Sequence, residues 1–144
     1  MKPIIFFLLL TMPFFSFSQQ TNDSMAIAQL LKDDYRTLET WDIGKHVANC
    51  TENYILIENG EILSLADEIK YFKKNKSRII TRKDTFNFKC IRVKGNTSYS
   101  AYYLKSDITE NGNVKTYNWA ESAIFRKIKG KWKIELIHST EIKH

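Results

Sequence analysis

Apolar and polar residues alternate along most of the second half of the chain. From Asp84 onward an apolar side chain recurs at about every second position, which is the period of a strand with one buried face. Three sequences that favour tight turns interrupt the alternation: Gly95-Asn96, Asn111-Gly112 and Lys129-Gly130-Lys131. The pattern predicts an antiparallel meander of four strands, near residues 84–94, 97–109, 113–128 and 131–142.

The first half of the chain has the period of helices. Asn22, Asp23 and Ser24 can cap a helix, which we expect to end near Gly44. Its apolar residues recur at spacings of three and four: Ile27, Leu30, Leu31, Leu38 and Trp41. Asp42, at the end of this helix, is expected to anchor the following turn.

Shorter elements connect this helix to the meander. We expect a helical turn over residues 46–50 and a strand over residues 54–58 that runs into the Asn59-Gly60 turn. Ser64 and Asp67 have the spacing of a capping box and open a further helix, whose inward residues are Leu65, Ile69 and Phe72. This order of elements predicts an α+β fold with helices packed on one face of a sheet.

Two polar residues fall on an apolar face of the last hairpin. Side chains that alternate along the two strands share a face: Tyr117, Trp119, Glu121, Ala123 and Phe125 on one, and Trp132, Ile134, Leu136 and His138 on the other. Glu121 and His138 are therefore either hydrogen-bonded core groups or the polar lining of a cavity. A buried carboxylate needs a partner, for which His138 or Tyr103 is a candidate. In the catalytic interpretation His138 is the base and Glu121 its partner.

Aromatic residues on the two preceding strands could form a wall of the same cavity. Tyr99, Ala101 and Tyr103 alternate on one strand, and Phe86, Phe88 and Cys90 on the other. With Trp41 and Trp119 they form either a packed core or the side of a ligand pocket. The ligand-binding candidates are Tyr35, Trp41, Phe88, Tyr99 and Trp119.

Residues 1–18 have the pattern of an export signal. Lys2 supplies the positive end, residues 4–17 the apolar stretch, and Ser16-Phe-Ser18 the small-residue cleavage site. The apolar stretch is too short to span a bilayer and contains Pro13. We predict cleavage, a single domain over residues 19–144, and a periplasmic or secreted protein without membrane attachment.

Charge and cysteine content add little about function. The formal net charge is +6, including Lys2, but the basic residues alternate with acids and we expect no nucleic-acid partner. Cys50 and Cys90 could form a disulfide or remain two buried thiols. The chain has no Cys-x-x-Cys sequence and no second histidine at ligand spacing, so we expect neither a structural zinc site nor a cofactor.

Several segments resemble the nuclear-transport-factor-2-like superfamily, and within it the exported SnoaL-like and DUF4440 domains. The matching segments are Leu38-Glu-Thr-Trp-Asp42, the Tyr54 strand leading to Asn59-Gly60-Glu61, and the terminal pattern of Trp119, Phe125-Arg126, Lys131-Trp132-Lys-Ile and His138-Ser139-Thr140. The resemblance implies a cystatin-like fold, in which a cone-shaped, strongly curved antiparallel sheet packs against N-terminal helices around a pocket. It also implies a homodimer formed through the outer face of the sheet.

The positions that correspond to the functional residues of the superfamily's steroid isomerases mostly hold residues of other types in this chain. Their helix tyrosine falls on Asp34, next to Tyr35, their base falls near Ile57 or Glu58, and their second acid falls on Ala123. The resemblance therefore implies a different chemistry. Our leading hypothesis is an exported domain that binds a small apolar or aromatic ligand. The alternatives are an enzyme that transfers protons on a small cyclic or carbonyl substrate, using His138, Glu121 and Tyr103 or Tyr35, and a module that binds partner proteins through its outer sheet face.

Overall fold

The structure is a computed structural model that describes residues 15–143, with side chains from residue 21 onward. Most of the predicted export signal lies outside the described residues. Helix α1 spans Phe15–Thr40 and so begins before the predicted cleavage site. Among the described residues, no helix combines the length and the apolar character that crossing a bilayer requires.

Three helices precede or interrupt the strands. Helix α1 ends at Thr40 rather than near Gly44, because Trp41 adopts a left-handed backbone with φ of 53°. Helix α2 follows at Ile43–Asn49, and the side chain of Asp42 caps it by accepting a hydrogen bond from the Lys45 amide at 3.0 Å. The predicted short helix is therefore present, but it begins three residues earlier than expected and ends one residue earlier.

The capping box predicted at Ser64 is present and opens helix α3, Leu65–Asn75. The Ser64 hydroxyl accepts a hydrogen bond from the Asp67 amide at 3.3 Å, and the Asp67 carboxylate accepts one from the Ser64 amide at 3.1 Å. Two backbone donors that the helix leaves free are thereby satisfied. Phe72, on the buried side of α3, is only 1% exposed.

Six strands form one sheet: β1 Cys50–Glu58, β2 Glu61–Ser64, β3 Ile80–Lys94, β4 Thr97–Glu110, β5 Asn113–Ile128 and β6 Lys131–Glu141. Their order across the sheet is β2-β1-β6-β5-β4-β3. All neighbouring strands are antiparallel except β1 and β6, which run parallel. The predicted meander from β3 to β6 is confirmed, and the Asn111-Gly112 turn has the positive φ angles, 51° and 77°, of a two-residue hairpin.

One face of this sheet, which we call the inner face, packs against helices α1 and α3. Its buried residues include Leu104, Ala123 and Phe125, and α1 contributes Ile27 and Leu31, which are fully buried. A smaller cluster of Trp41, Phe72 and Ile80 closes the side of the sheet near α3. The opposite, outer face carries exposed residues, and no described helix covers it.

Two bulges change which side chains reach the inner face. In β6 Glu135 has no residue opposite it on β5, since Ile134 pairs with Phe125 and Leu136 pairs with Ile124. The alternation therefore reverses after Glu135, and Ile137 and Ser139 point inward. In β3 Lys89 is the extra residue, between Phe88 and Cys90.

Candidate functional site

A cavity of about 810 Å³ lies between the inner face, helix α3 and the C-terminal half of α1. This volume is within the usual range for sites that bind small molecules. Apolar side chains from several elements line it: Leu38, Trp41, Tyr54, Leu56, Ile80, Ile108, Trp119 and Ile137. Three groups of polar residues lie among them, and they determine what the cavity can bind.

The first polar group surrounds Glu121 on β5. Tyr35, from α1, donates a hydrogen bond to Glu121 Oε2 at 2.7 Å, and Ser139, from β6, donates one to Oε1 at 2.7 Å. Glu121 is 6% exposed and lines the cavity. The hydroxyl of Tyr102 is buried close to the same carboxylate but does not reach hydrogen-bond geometry with any described residue.

Burial raises the pKa of Glu121 above its ordinary value, because a low-dielectric surrounding disfavours the charged carboxylate. The hydrogen bonds from Tyr35 and Ser139 and the charge of Arg82 act in the opposite direction, so they hold part of that rise back. The pKa of Tyr35 lies well above its ordinary value, mainly through burial and then through the charge of Glu121. The Tyr35 hydroxyl is therefore protonated and remains a donor at neutral pH.

The second polar group contains Arg82 on β3. Its Nε donates to both oxygens of Asp84, at 2.7 and 2.9 Å, and its Nη2 donates to the Ser106 hydroxyl at 2.9 Å. The guanidinium also lies over the ring of Tyr35, 5.4 Å from its centroid. Arg82 thus supports the Tyr35 ring from one side while it is paired with Asp84.

The third polar group joins the three helices and β1. His46 of α2 donates from Nδ1 to Asp34 of α1, at 3.1 Å, and its Nε2 lies 3.8 Å from Glu68 of α3 and 3.9 Å from the thiol of Cys50. Burial raises the pKa of Glu68 to about 7. Burial by itself would lower the pKa of His46, but the hydrogen bond to Asp34 and the nearby carboxylates raise it. Burial likewise raises the pKa of the Cys50 thiol.

The carboxyl group of Glu58 lies at the end of β1 and faces the same cavity. Burial raises its pKa, and the charge of Glu121 raises it further. The carboxyl groups of Asp34, Glu58, Glu68 and Glu121 thus all line one cavity. Of the basic residues in the lining, Arg82 is paired with Asp84, Arg78 is paired with Glu110, and Lys115 is exposed. The buried part of the lining therefore favours a ligand that donates hydrogen bonds or carries positive charge.

The structure separates the three residues of the catalytic hypothesis. The prediction that His138 and Glu121 share a face is wrong, because the Glu135 bulge turns His138 to the outer face, where it is exposed and pairs with Ser122. Tyr103 is also on the outer face, 48% exposed, with the Lys89 ammonium 5.3 Å from its ring centroid. His138 and Tyr103 both line a shallow outer cleft of about 270 Å³. Glu121 also borders this cleft, but its carboxylate accepts its hydrogen bonds from Tyr35 and Ser139 on the inner side.

The predicted ligand-binding residues divide between the two faces. Tyr35, Trp41 and Trp119 line the inner cavity. Phe88 packs against the main core without lining the cavity, and Tyr99 is on the outer face, 55% exposed. The expected wall of Tyr99 and Tyr103 is wrong because the even-numbered residues of β4 face inward, as the burial of Tyr102 and Leu104 demonstrates.

Other expectations concern the cysteines and the isomerase-like positions. Both cysteines are free: Cys50 is buried and Cys90 is half-buried. Of the isomerase-like positions, Asp34 and Glu58 line the cavity, whereas Ala123 is packed in the core.

Sequence reasoning missed His46, Glu68 and Arg82. His46 and Glu68 both lie on helices, and only tertiary packing brings their side chains together.

Comparison with known proteins identifies the fold. No family model matches the chain, and no curated protein matches it. Among solved structures, an NTF2-like protein from Cytophaga hutchinsonii is 14% identical with a TM-score of 0.69, and the match covers 81% of this chain and 95% of that one. A ketosteroid isomerase-like protein from Erwinia carotovora atroseptica is 13% identical with a TM-score of 0.67, covering 85% and 98%.

The association domain of C. elegans CaMKII has a similar structure. It is 17% identical with a TM-score of 0.74, and the match covers 85% of this chain and 98% of that one. At these levels of identity the likeness concerns the fold alone. The chain has the nuclear-transport-factor-2-like, cystatin-like fold that the sequence resemblance predicted. That fold hosts many unrelated activities, so function has to be argued from the site.

Proposed function

We propose that the protein binds a small molecule in the inner cavity, with an apolar body against the aromatic lining and a hydrogen-bond donor directed at Glu121. The observation that carries this proposal is the buried Glu121 carboxylate, held at 2.7 Å by both Tyr35 and Ser139 on the wall of a cavity of about 810 Å³. Burying a carboxylate is unfavourable unless its oxygens are satisfied. A ligand donor would satisfy lone pairs that Tyr35 and Ser139 leave open.

The charge of the lining favours an amine as the polar head of the ligand. Asp34, Glu58, Glu68 and Glu121 all face the cavity. Of its basic residues, Arg82 is occupied by Asp84, Arg78 is occupied by Glu110, and Lys115 is exposed. A protonated amine placed beside Glu121 would compensate the carboxylate charge, whereas an anionic ligand would be repelled. For ligands that share one apolar body, we expect the affinity to decrease from the amine to the alcohol and from the alcohol to the hydrocarbon.

Three probes of matched size test this order: 2-phenylethylamine, 2-phenylethanol and ethylbenzene. A ligand at 100 times its Kd stabilises the native state by about 2.7 kcal/mol, which raises the Tm of a domain of this size by about 10 °C. The proposal predicts that the amine raises the Tm most at equal concentration. If none of the three probes changes the Tm, or if ethylbenzene is the most effective, the proposed anchoring at Glu121 is wrong.

The matched variants are Glu121→Gln and Glu52→Gln. Glu121→Gln removes the buried charge while retaining the shape of the side chain, so the advantage of the amine over the alcohol should disappear. Glu52 is exposed on β1, and Glu52→Gln makes the same change in overall charge. We expect this control to bind all three probes as the wild type does.

A second candidate is an enzyme that transfers a proton to or from a small carbonyl substrate. The specific observation in its favour is the short Tyr35–Glu121 contact facing the cavity, because a carboxylate whose pKa is raised by burial is a better general base near neutral pH. In this form of the hypothesis Glu121 is the base and Tyr35 positions it. His138, the base that the sequence suggested, would have no role.

Hydrogen exchange at the carbon next to a ketone measures such a reaction without knowledge of the natural substrate. Cyclohexanone in D₂O, followed by NMR, should exchange faster with the wild type and with His138→Ala than with Glu121→Gln. Equal exchange with wild type, Glu121→Gln and His138→Ala would remove the enzymatic hypothesis and leave the binding proposal unaffected. Loss of exchange in His138→Ala alone would restore the histidine as the base.

The outer face supports a proposal of self-association. It exposes Tyr99, Tyr103 and Ile124, which are 55%, 48% and 37% exposed, and one structural neighbour is named an association domain. We infer a homodimer formed through this face, and a heterologous partner is the alternative. Light scattering after size exclusion should give twice the monomer mass for the wild type and the monomer mass for Tyr103→Lys. A monomeric wild type would contradict the dimer.

A further inference from the structure

A buried cluster of potential metal ligands lies where α2, β1 and α3 meet. Nε2 of His46 lies 3.8 Å from Oε2 of Glu68 and 3.9 Å from Sγ of Cys50. A carboxylate oxygen of Asp34, a ring nitrogen of His46 and the Cys50 sulfur all lie within 4.8 Å of one another. We propose that this cluster binds one Zn²⁺ ion through His46 Nε2, Cys50 Sγ and the Glu68 carboxylate.

The two separations measured from His46 Nε2 are close to those of a tetrahedral zinc site. Zinc bonds of about 2.0–2.1 Å to nitrogen, 2.3 Å to sulfur and 2.0–2.2 Å to oxygen place neighbouring ligand atoms about 3.3–3.6 Å apart. The separations of 3.8 and 3.9 Å exceed these values by a few tenths of an ångström.

The imidazole ring of His46 is already held in position for a metal. Its Nδ1 donates to Asp34 at 3.1 Å, so in the neutral ring Nε2 carries the lone pair that a metal would bind. The ring stacks on Phe72 at a centroid distance of 4.9 Å and meets the ring of Tyr54 edge-on at 5.6 Å. A carboxylate that fixes the distal nitrogen of a ligating histidine is a recurring support of zinc sites. Asp34 is therefore the orienting residue, and Asn49 steadies it by donating at 3.0 Å.

The donor set selects zinc over the hard cations. Thiolate and imidazole ligands favour Zn²⁺, whereas Mg²⁺ and Ca²⁺ prefer oxygen ligands. On binding, the S–H bond of Cys50 breaks, an S–Zn bond forms and the proton passes to solvent. His46 and Glu68 also line the inner cavity, so the fourth coordination position would face it and could hold water or a ligand.

Titration of the full-length, metal-free protein with Co²⁺ tests the site, because a thiolate bound to Co²⁺ gives a charge-transfer absorption band. We expect the band to saturate at one equivalent, to disappear on addition of Zn²⁺ and to be absent in Cys50→Ser. Cys90→Ser is the matched control and should retain it. Asp34→Asn should keep the band with an affinity about 10- to 100-fold lower. A wild type without the band, or a band that persists in Cys50→Ser, would overturn the proposal.

Glu68→Gln provides a second test that does not depend on the folding of Cys50→Ser. It removes one ligand and leaves a side chain of the same size. Zn²⁺ should raise the Tm of the wild type and of Cys90→Ser, Mg²⁺ should raise neither, and the Zn²⁺ affinity of Glu68→Gln should fall at least tenfold. An unchanged Zn²⁺ affinity in Glu68→Gln would contradict the assigned ligand set. None of these measurements involves Glu121, so they are independent of the proposed function.

Discussion

Removal of the Tyr35 hydroxyl tests the energetics of the buried Glu121 carboxylate. In Tyr35→Phe the ring keeps its edge-on contact with Phe86 at 5.4 Å and its place beneath Arg82, whereas Glu121 loses the donor at 2.7 Å. A hydrogen bond to a charged group contributes about 1.5–3 kcal/mol to stability, compared with about 0.5–1.5 kcal/mol for a neutral pair. We expect Tyr35→Phe to lower the free energy of unfolding by about 2 kcal/mol at pH 7.

The loss of stability caused by Tyr35→Phe should depend on pH in a defined direction. Burial raises the pKa of Glu121 above its unfolded value near 4.5, so ionisation costs stability as the pH rises through the folded pKa. The hydrogen bond from Tyr35 lowers that pKa and offsets part of the cost. Without this bond the variant should lose more stability than the wild type as the pH rises. The deficit of Tyr35→Phe, meaning the amount by which its free energy of unfolding falls below that of the wild type, should therefore be smaller at pH 5 than at pH 7.

Urea unfolding of both proteins at pH 5 and pH 7 measures the two deficits, and a constant m-value ensures that the comparison is valid. Tyr103→Phe is the matched control, because its hydroxyl lies on the exposed outer face, and we expect a change below about 0.5 kcal/mol. A deficit of Tyr35→Phe that grows toward pH 5, or one no larger than that of Tyr103→Phe, would refute this account of the Glu121 site.

Three further measurements examine other parts of the account. Phe72→Ala should destabilise the protein by about 3–5 kcal/mol in urea unfolding, because its side chain is 1% exposed at the packing centre of α3, and a loss below about 1 kcal/mol would contradict that packing. Ser64→Ala should cost about 1 kcal/mol by removing the α3 cap, and an unchanged midpoint would show that the cap contributes nothing measurable. Intact mass of the protein purified from its native host should correspond to a chain beginning at Gln19, and a retained N-terminus would disprove the predicted cleavage.

The sequence predicted the secondary structure well because its turns carry strong local signals. Asn-Gly sequences and the Lys-Gly turn require residues that tolerate positive φ, and they marked the hairpin ends of β4, β5 and β6 within a residue or two. The Ser64 box marked the start of α3 equally well. Strand β2 was missed, since a strand of four residues with no buried residue carries no periodic pattern.

The candidate site was harder to predict because it depends on strand faces. One unpaired residue, Glu135, reverses the alternation and moves His138 from the inner to the outer face. The only signal in the sequence is the adjacent apolar pair Leu136 and Ile137, which interrupts the strict alternation of apolar and polar residues. On β4 both faces carry tyrosines, so the pattern could not distinguish Tyr102, which faces inward, from Tyr103.

Groups assembled from distant segments were beyond sequence reasoning. His46, Cys50 and Glu68 belong to three different elements, and Glu68 follows the other two only after strands β1 and β2. The contact between Tyr35 and Glu121 spans 86 positions. Such contacts follow from how α1 packs on the sheet, which a pattern of apolar positions constrains only in part.

A crystal structure of the protein with 2-phenylethylamine tests the central claim most directly. The account predicts ordered ligand density in the inner cavity, with the amine within hydrogen-bond distance of the Glu121 carboxylate and the ring against Trp119 or Trp41. A cavity that holds only water at saturating amine, or ligand density confined to the outer cleft beside His138 and Tyr103, would contradict it.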